Sequence, residues 1–135
     1  MDKNIGHLQD VDFTSNGSLN TQEIGSGNLP VFIMVYGSYC GHCKTAKPDF
    51  ERVARDFHNK GVFICALMTD DKDPKTKKLM TRFPQILDGH KISFSGVPTY
   101  LLWKNGKLVE YQGGRDYNSI VKFFMDIGVP PLQQR

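Results

Sequence analysis

Two cysteines two residues apart, in Cys40-Gly41-His42-Cys43, can close a small disulfide and exchange it with other thiols, or supply part of a metal site. Their neighbours favour the first. Upstream, Val31–Tyr36 is an apolar run rich in β-branched and aromatic residues, the pattern of a buried strand. Downstream, over 44–60, Ala46, Phe50, Val53, Ala54 and Phe57 recur at the spacing of an amphipathic helix. Cys40 therefore falls where a helix begins, among unpaired N–H groups and a partial positive charge that both stabilise a thiolate. This makes Cys40, nearer the turn, the expected attacking thiolate, and Cys43, one turn into the helix, the resolving thiol. Gly41 and His42 fill the spacer, and an imidazole there can favour the Cys40 thiolate. A structural zinc site needs four ligands. The third cysteine, Cys65, sits in another apolar run and reads as a small buried hydrophobe. No metal is expected, and no cofactor beyond the redox-active Cys40–Cys43 pair.

Tyr39-Cys40-Gly41-His42-Cys43-Lys44, with Pro48 five residues after the second cysteine, resembles the thioredoxin superfamily, and the Gly-His spacer resembles the protein disulfide isomerase type. The resemblance covers residues 9–128. It implies an α/β thioredoxin fold, a central mixed β-sheet flanked by helices on both faces. It also implies further site residues. Val97-Pro98-Thr99-Tyr100 resembles the cis-proline loop, which faces the disulfide; Val97 and Pro98 would then offer backbone groups to a bound peptide. Tyr39 stands where the family usually has tryptophan and keeps an aromatic surface for peptide contact. Arg115, in Tyr111-Gln112-Gly113-Gly114-Arg115, resembles an arginine of isomerase domains that swings toward the second cysteine and lowers its pKa. In one respect the chain departs from the family. The buried acid expected six residues before the first cysteine is replaced by Met34, and its usual lysine partner in the next strand aligns with Leu67.

The elements that must position these residues follow from patterning. The 135 residues suit one domain, 1–135. Residues 1–7 read as a loose tail, 7–13 as a short first strand, and 18–24 as a short helix ended by Gly25-Ser26-Gly27. Strand, helix and a second strand over 62–68 imply a parallel right-handed crossover, with Pro48 kinking the helix. Asp73-Pro74 starts a further helix over 74–83 that Pro84 stops. Residues 84–96 read as an insertion before the cis-proline loop, with Ile86-Leu87 and Ile92-Ser93-Phe94 pairing as a hairpin across Asp88-Gly89. A hairpin through Lys104-Asn105-Gly106-Lys107 and a last helix capped by Asp116 complete the pattern.

A net charge of +3 is too weak to argue for nucleic acid, and Asp70, Asp71 and Asp73 offset the lysines between Lys72 and Lys78. The first residues hold no apolar signal-peptide core, no stretch approaches the roughly 20 apolar residues of a membrane span, and Pro131-Leu132-Gln133-Gln134-Arg135 is no retention signal. A cytoplasmic monomer is expected. The expected function is thiol–disulfide exchange on protein cysteines, isomerase-like or reductase. Its partners would be client proteins bearing thiols or disulfides, and a reductase or oxidase that recycles the pair. The alternative is a peptide-binding or chaperone-like module with weak redox turnover.

Overall fold

The computed structural model describes residues 1–133. Gln134 and Arg135, the last residues of the C-terminal sequence read above, lie outside the described residues. Five strands form one sheet in the order β1-β3-β2-β4-β5: β1 Gly6–His7, β2 Val31–Tyr36, β3 Phe63–Met68, β4 Thr99–Lys104 and β5 Lys107–Tyr111. β2 runs parallel to β3 and antiparallel to β4. The helices are α1 Thr21–Ile24, α2 Gly41–Asp56, α3 Pro74–Gly89 and α4 Tyr117–Asp126.

Strand residues alternate between faces, so β2, β3, β4 and β5 each feed two cores. Phe32, Met34, Ile64, Ala66, Tyr100 and Leu102 meet Phe50 and Val53 of α2 and Ile120 and Phe124 of α4. Val31, Ile33, Val35, Cys65, Leu67 and Leu101 meet Leu79, Phe83 and Leu87 of α3. The mixed sheet with helices on both faces is as the sequence implied.

Four local expectations are corrected. Residues 1–7 are not a loose tail: Ile5 is buried, and Gly6 and His7 pair with Cys65 and Ala66. The first strand stops at His7. Asp10–Asp12 instead make a 3₁₀ turn, because the Asp12 carboxylate accepts the Gln9 N–H at 2.7 Å and Arg82 donates to the carbonyls of Asp10, Phe13 and Thr14. Such side-chain bonds compete directly with a ladder.

α3 does not end at Pro84. A proline inside a helix costs about 3 kcal/mol. Continuing the helix buries Ile86 and Leu87 on the face already set by Leu79 and Phe83, at roughly 1.5–3 kcal/mol each, which offsets that cost. Ile86 and Leu87 being helical, the hairpin across Asp88-Gly89 does not form. After α3 the chain turns at His90 and Lys91, and the Ile92 N–H donates back to the Leu87 carbonyl at 2.9 Å. The stretch read as an insertion over 84–96 is thus six residues of helix followed by a short loop into Val97.

Candidate active site

β2 ends at Tyr36, and the loop that follows is held before it reaches the cysteines. The Ser38 N–H donates to the Asp70 carboxylate at 3.0 Å and the Ser38 hydroxyl donates to it as well. These bonds, the hydroxyl's first, hold the Asp70 carboxyl below the usual carboxylate range. The Tyr39 ring folds over Gly37, where a Cβ would come within 2.6 Å of it, and still leaves Tyr39 70% exposed. Ser38 and Asp70 were not singled out from sequence; residues 32 apart that meet only in the fold carry no local signal.

Cys40 is the N-cap of α2. Its Sγ accepts the Cys43 N–H at 3.1 Å, one of the donors a helix start leaves unpaired. The two cysteines are joined as a disulfide with Cα atoms 5.2 Å apart. Cys40 is 8% exposed and Cys43 is 3% exposed, so Cys40 is the more accessible residue, by a small margin. The Val97–Pro98 peptide is cis, and the Val97 carbonyl oxygen lies 3.6 Å from Cys40 Sγ. Cys40, Cys43, Val97 and Pro98 are therefore one site.

Gly41 and His42 are exposed on the first turn of α2. His42 lines a shallow cleft with Thr45, Ala46, Asp49, Arg115 and Asp116. The loop carrying Arg115 is fixed from both sides. Tyr111 donates its hydroxyl to the Gly114 carbonyl at 2.6 Å, and the Asp116 carboxylate accepts from the Ser119 N–H at the start of α4. The Tyr117 N–H donates to Asp49 at 3.1 Å, tying α4 to α2. Arg115 and His42, 73 positions apart in sequence, so line one cleft, which neither cysteine lines.

Met34 is fully buried, in the same cluster as the pair. Leu67 is not its neighbour. β2 and β3 align Met34 with Ala66, and Leu67 packs on the opposite face among Leu8, Leu79 and Leu87. A one-residue offset moves a strand side chain across the sheet, which places Ala66 where Leu67 was expected. Both positions of the expected acid–lysine pair are therefore apolar. Cys65 also faces away; burial, and then the charge of Asp12, push its thiol up to about 12. No helix among the described residues is long and apolar enough to cross a membrane.

The family model described as Thioredoxin matches residues 14–126. The thioredoxin-like protein 453L of Invertebrate iridescent virus 6 is 37% identical, over 92% of this chain and 94% of that protein. Protein disulfide-isomerase A4 of Homo sapiens is 28% identical over 74% of this chain, which spans only 14% of that larger protein. Among solved structures, the first thioredoxin domain of mouse protein disulfide-isomerase A4 matches with a TM-score of 0.64 at 21% identity, covering all of this chain and 84% of that one. The J-Trx1 fragment of ERdj5 matches with a TM-score of 0.65 at 18% identity, covering 93% of this chain and 52% of that one. With a Cys-x-x-Cys pair capping the helix that follows the central strand, a cis-proline loop against it and a family match over most of its length, the chain belongs to the thioredoxin family.

Proposed function

We propose that the chain exchanges thiols and disulfides of client proteins through Cys40 and Cys43. The observation that carries this reading is the placement of Cys40. Its sulfur caps α2 and takes the Cys43 N–H at 3.1 Å, and Cys40 is the more accessible residue of the two. A thiolate formed there keeps that N–H and gains the helix dipole. In the forward half-reaction the Cys40 thiolate attacks a client disulfide, forming the Cys40–client bond and releasing the other client sulfur as a thiolate. The Cys43 thiolate then attacks Cys40 Sγ. The intramolecular disulfide forms, the mixed disulfide breaks, and the client leaves as a thiol after taking up a proton.

Val97 and Pro98 would present backbone to the client chain beside the sulfur, and Tyr39 an aromatic surface. Arg115 would add positive charge from the cleft it shares with His42. The Gly-His spacer favours an isomerase-like poise over that of a dedicated reductase, and a partner reductase or oxidase would reset the pair. No metal or further cofactor enters the scheme.

The exposed Tyr39 beside the Pro98 loop also suits a peptide-binding module with weak turnover. Insulin reduction by dithiothreitol separates the two. Exchange activity predicts acceleration that Cys40→Ser abolishes, and mixed disulfides with client proteins that accumulate in Cys43→Ser and not in Cys40→Ser. Peptide binding without acceleration would establish the second reading.

A further inference from the structure

Gly37, Ser38 and Tyr39 join the end of β2 at Tyr36 to the N-cap Cys40. The Cys40 N–H donates back to the Gly37 carbonyl at 3.3 Å and closes the turn. Its two ends, Gly37 and Cys40, are buried, whereas Ser38 and Tyr39 stand in solvent. The Tyr39 ring lies against the backbone of Gly37 and belongs to neither core. The direction in which it points is therefore set by the backbone of the turn.

That backbone is held from outside by Asp70. The Ser38 N–H donates to one carboxylate oxygen at 3.0 Å and the Ser38 hydroxyl donates to the other. Two donors on one carboxylate fix both the main chain and the side chain of Ser38, and bonds to a charged acceptor are the stronger kind. Asp70 is itself anchored. The Thr69 N–H donates to the Tyr36 carbonyl at 2.8 Å, and the Asp71 N–H donates to the Met68 carbonyl at 3.3 Å. Cys40 keeps its place without this tether, because its bonds are made within α2: its Sγ takes the Cys43 N–H and its carbonyl takes the Lys44 N–H at 3.1 Å. The tether bears on the ring and not on the sulfur.

We propose that Asp70 is a positioning residue for client binding: through Ser38 it holds the Tyr39 ring in the direction that meets an incoming polypeptide beside Cys40. The assignment rests on the reading of Tyr39 as a client contact. A client then meets a ring that is already ordered. Without the tether it must order the ring itself, which costs roughly three- to tenfold in affinity for one immobilised side chain.

Cleavage of a quenched fluorescent peptide disulfide, with dithiothreitol as reductant, separates binding from chemistry. Asp70→Ala is expected to raise KM roughly three- to tenfold and to leave kcat where it was. Asp70→Asn, which keeps an acceptor oxygen for Ser38, is expected to recover part of the loss. In a Tyr39→Ala background, Asp70→Ala is expected to change KM no further, because the ring it positions is gone. An equal rise in KM in that background, or a fall in kcat with KM unmoved, would overturn the assignment. The affinity for S-carbamidomethylated insulin B chain, read by fluorescence anisotropy, is expected to follow the same pattern with no turnover involved. A wild type that binds this chain and leaves insulin disulfides intact would count against the exchange reading alone. A wild type that does not bind it, or an Asp70→Ala variant that binds it as wild type does, would count against Asp70 alone.

Discussion

The two faces of the sheet are built from the same strands and do different work. Toward α2 and α4 the strands present Phe32, Met34 and Tyr100, and an aromatic cluster carries the disulfide at its upper edge. Toward α3 they present Val31, Ile33, Val35 and Leu101, an aliphatic layer with Phe83, closed at its margin by Arg82. A cysteine on each face shows the consequence. Cys40 caps a helix and takes the Cys43 N–H, a donor that favours a thiolate. Cys65 lies mid-strand in an apolar layer, where burial suppresses ionisation. Position on the sheet, more than residue type, decides which sulfur can react, and it separates the part of the core that holds the fold from the part that tunes the chemistry.

The widest separation is expected from truncating the far face. Phe83 is 1% exposed and packs against Phe13 and Phe94 at 6.3 and 6.1 Å. Phe83→Ala should cost about 3–5 kcal/mol of stability by urea denaturation and leave the potential of the Cys40–Cys43 pair where it was. A shifted potential would mean the faces are coupled.

The near face should respond in the opposite sense. Met34→Glu places a carboxyl among Phe32, Cys43 and Tyr100. Burial raises the pKa of that carboxyl, at a cost of about 1–3 kcal/mol of stability. Above that raised pKa it ionises and supplies a proton acceptor in the same buried cluster as Cys43. Stopped-flow release from a mixed disulfide should be faster than wild type, and an unchanged rate in a folded variant would show that position 34 does not communicate with Cys43.

How these faces were assigned marks what sequence could and could not disclose. The Cys40 cap, the parallel β2–β3 pair and the Asp73 and Asp116 caps are local or periodic signals and were legible. The side of the sheet to which residue 67 points was not, since an alignment uncertain by one residue inverts it. Nor was the extent of α3. Proline chemistry argued for a stop at Pro84, and the tertiary burial of Ile86 and Leu87 overrode it. The Asp10–Asp12 turn depends on Arg82, some 70 residues away, and the turn at Ser38 depends on Asp70, 32 residues on. Long-range pairing of polar groups leaves no periodic trace.

A comparable effect on the near face, in potential and not in stability, is expected from His42→Pro. His42 is the second residue of α2, where a missing backbone N–H costs no helical bond, so the variant should fold. The imidazole acts only on the reduced form, which contains the thiolate. Removing it should make the pair more reducing by roughly 30–60 mV, the equivalent of losing a charged hydrogen bond of about 1.5–3 kcal/mol. Glutathione equilibration measures it. A potential that rises instead would show that the imidazole opposes the thiolate.

The smallest effect should come from the margin of the far face, and its sign distinguishes that margin from the site. The Asp10 carboxylate accepts from Arg82 Nε at 2.7 Å, with Lys78 at 3.6 Å. The Arg82 hydrogen bond, opposed in part by burial, holds the Asp10 carboxyl below its ordinary value. The folded state therefore binds fewer protons at this group than the unfolded state near pH 4. The stabilisation it brings is complete above the unfolded pKa and is lost as pH falls through the folded one. Asp10→Asn keeps an acceptor for Arg82 and removes the charge. Since the pair is partly exposed, the variant should be less stable than wild type by about 0.2–1 kcal/mol near pH 7. The gap should close progressively below about pH 4. Asp12, pushed up by burial, acts with the opposite sign in both proteins and cancels from the difference. Urea midpoints at a series of pH values give the curve, and the redox potential of the variant should equal that of wild type at every one of them. A gap that stays constant into acid would show that Asp10 holds Arg82 by geometry alone, and a moved potential would show that the charge on α3's side of the sheet is felt at Cys40.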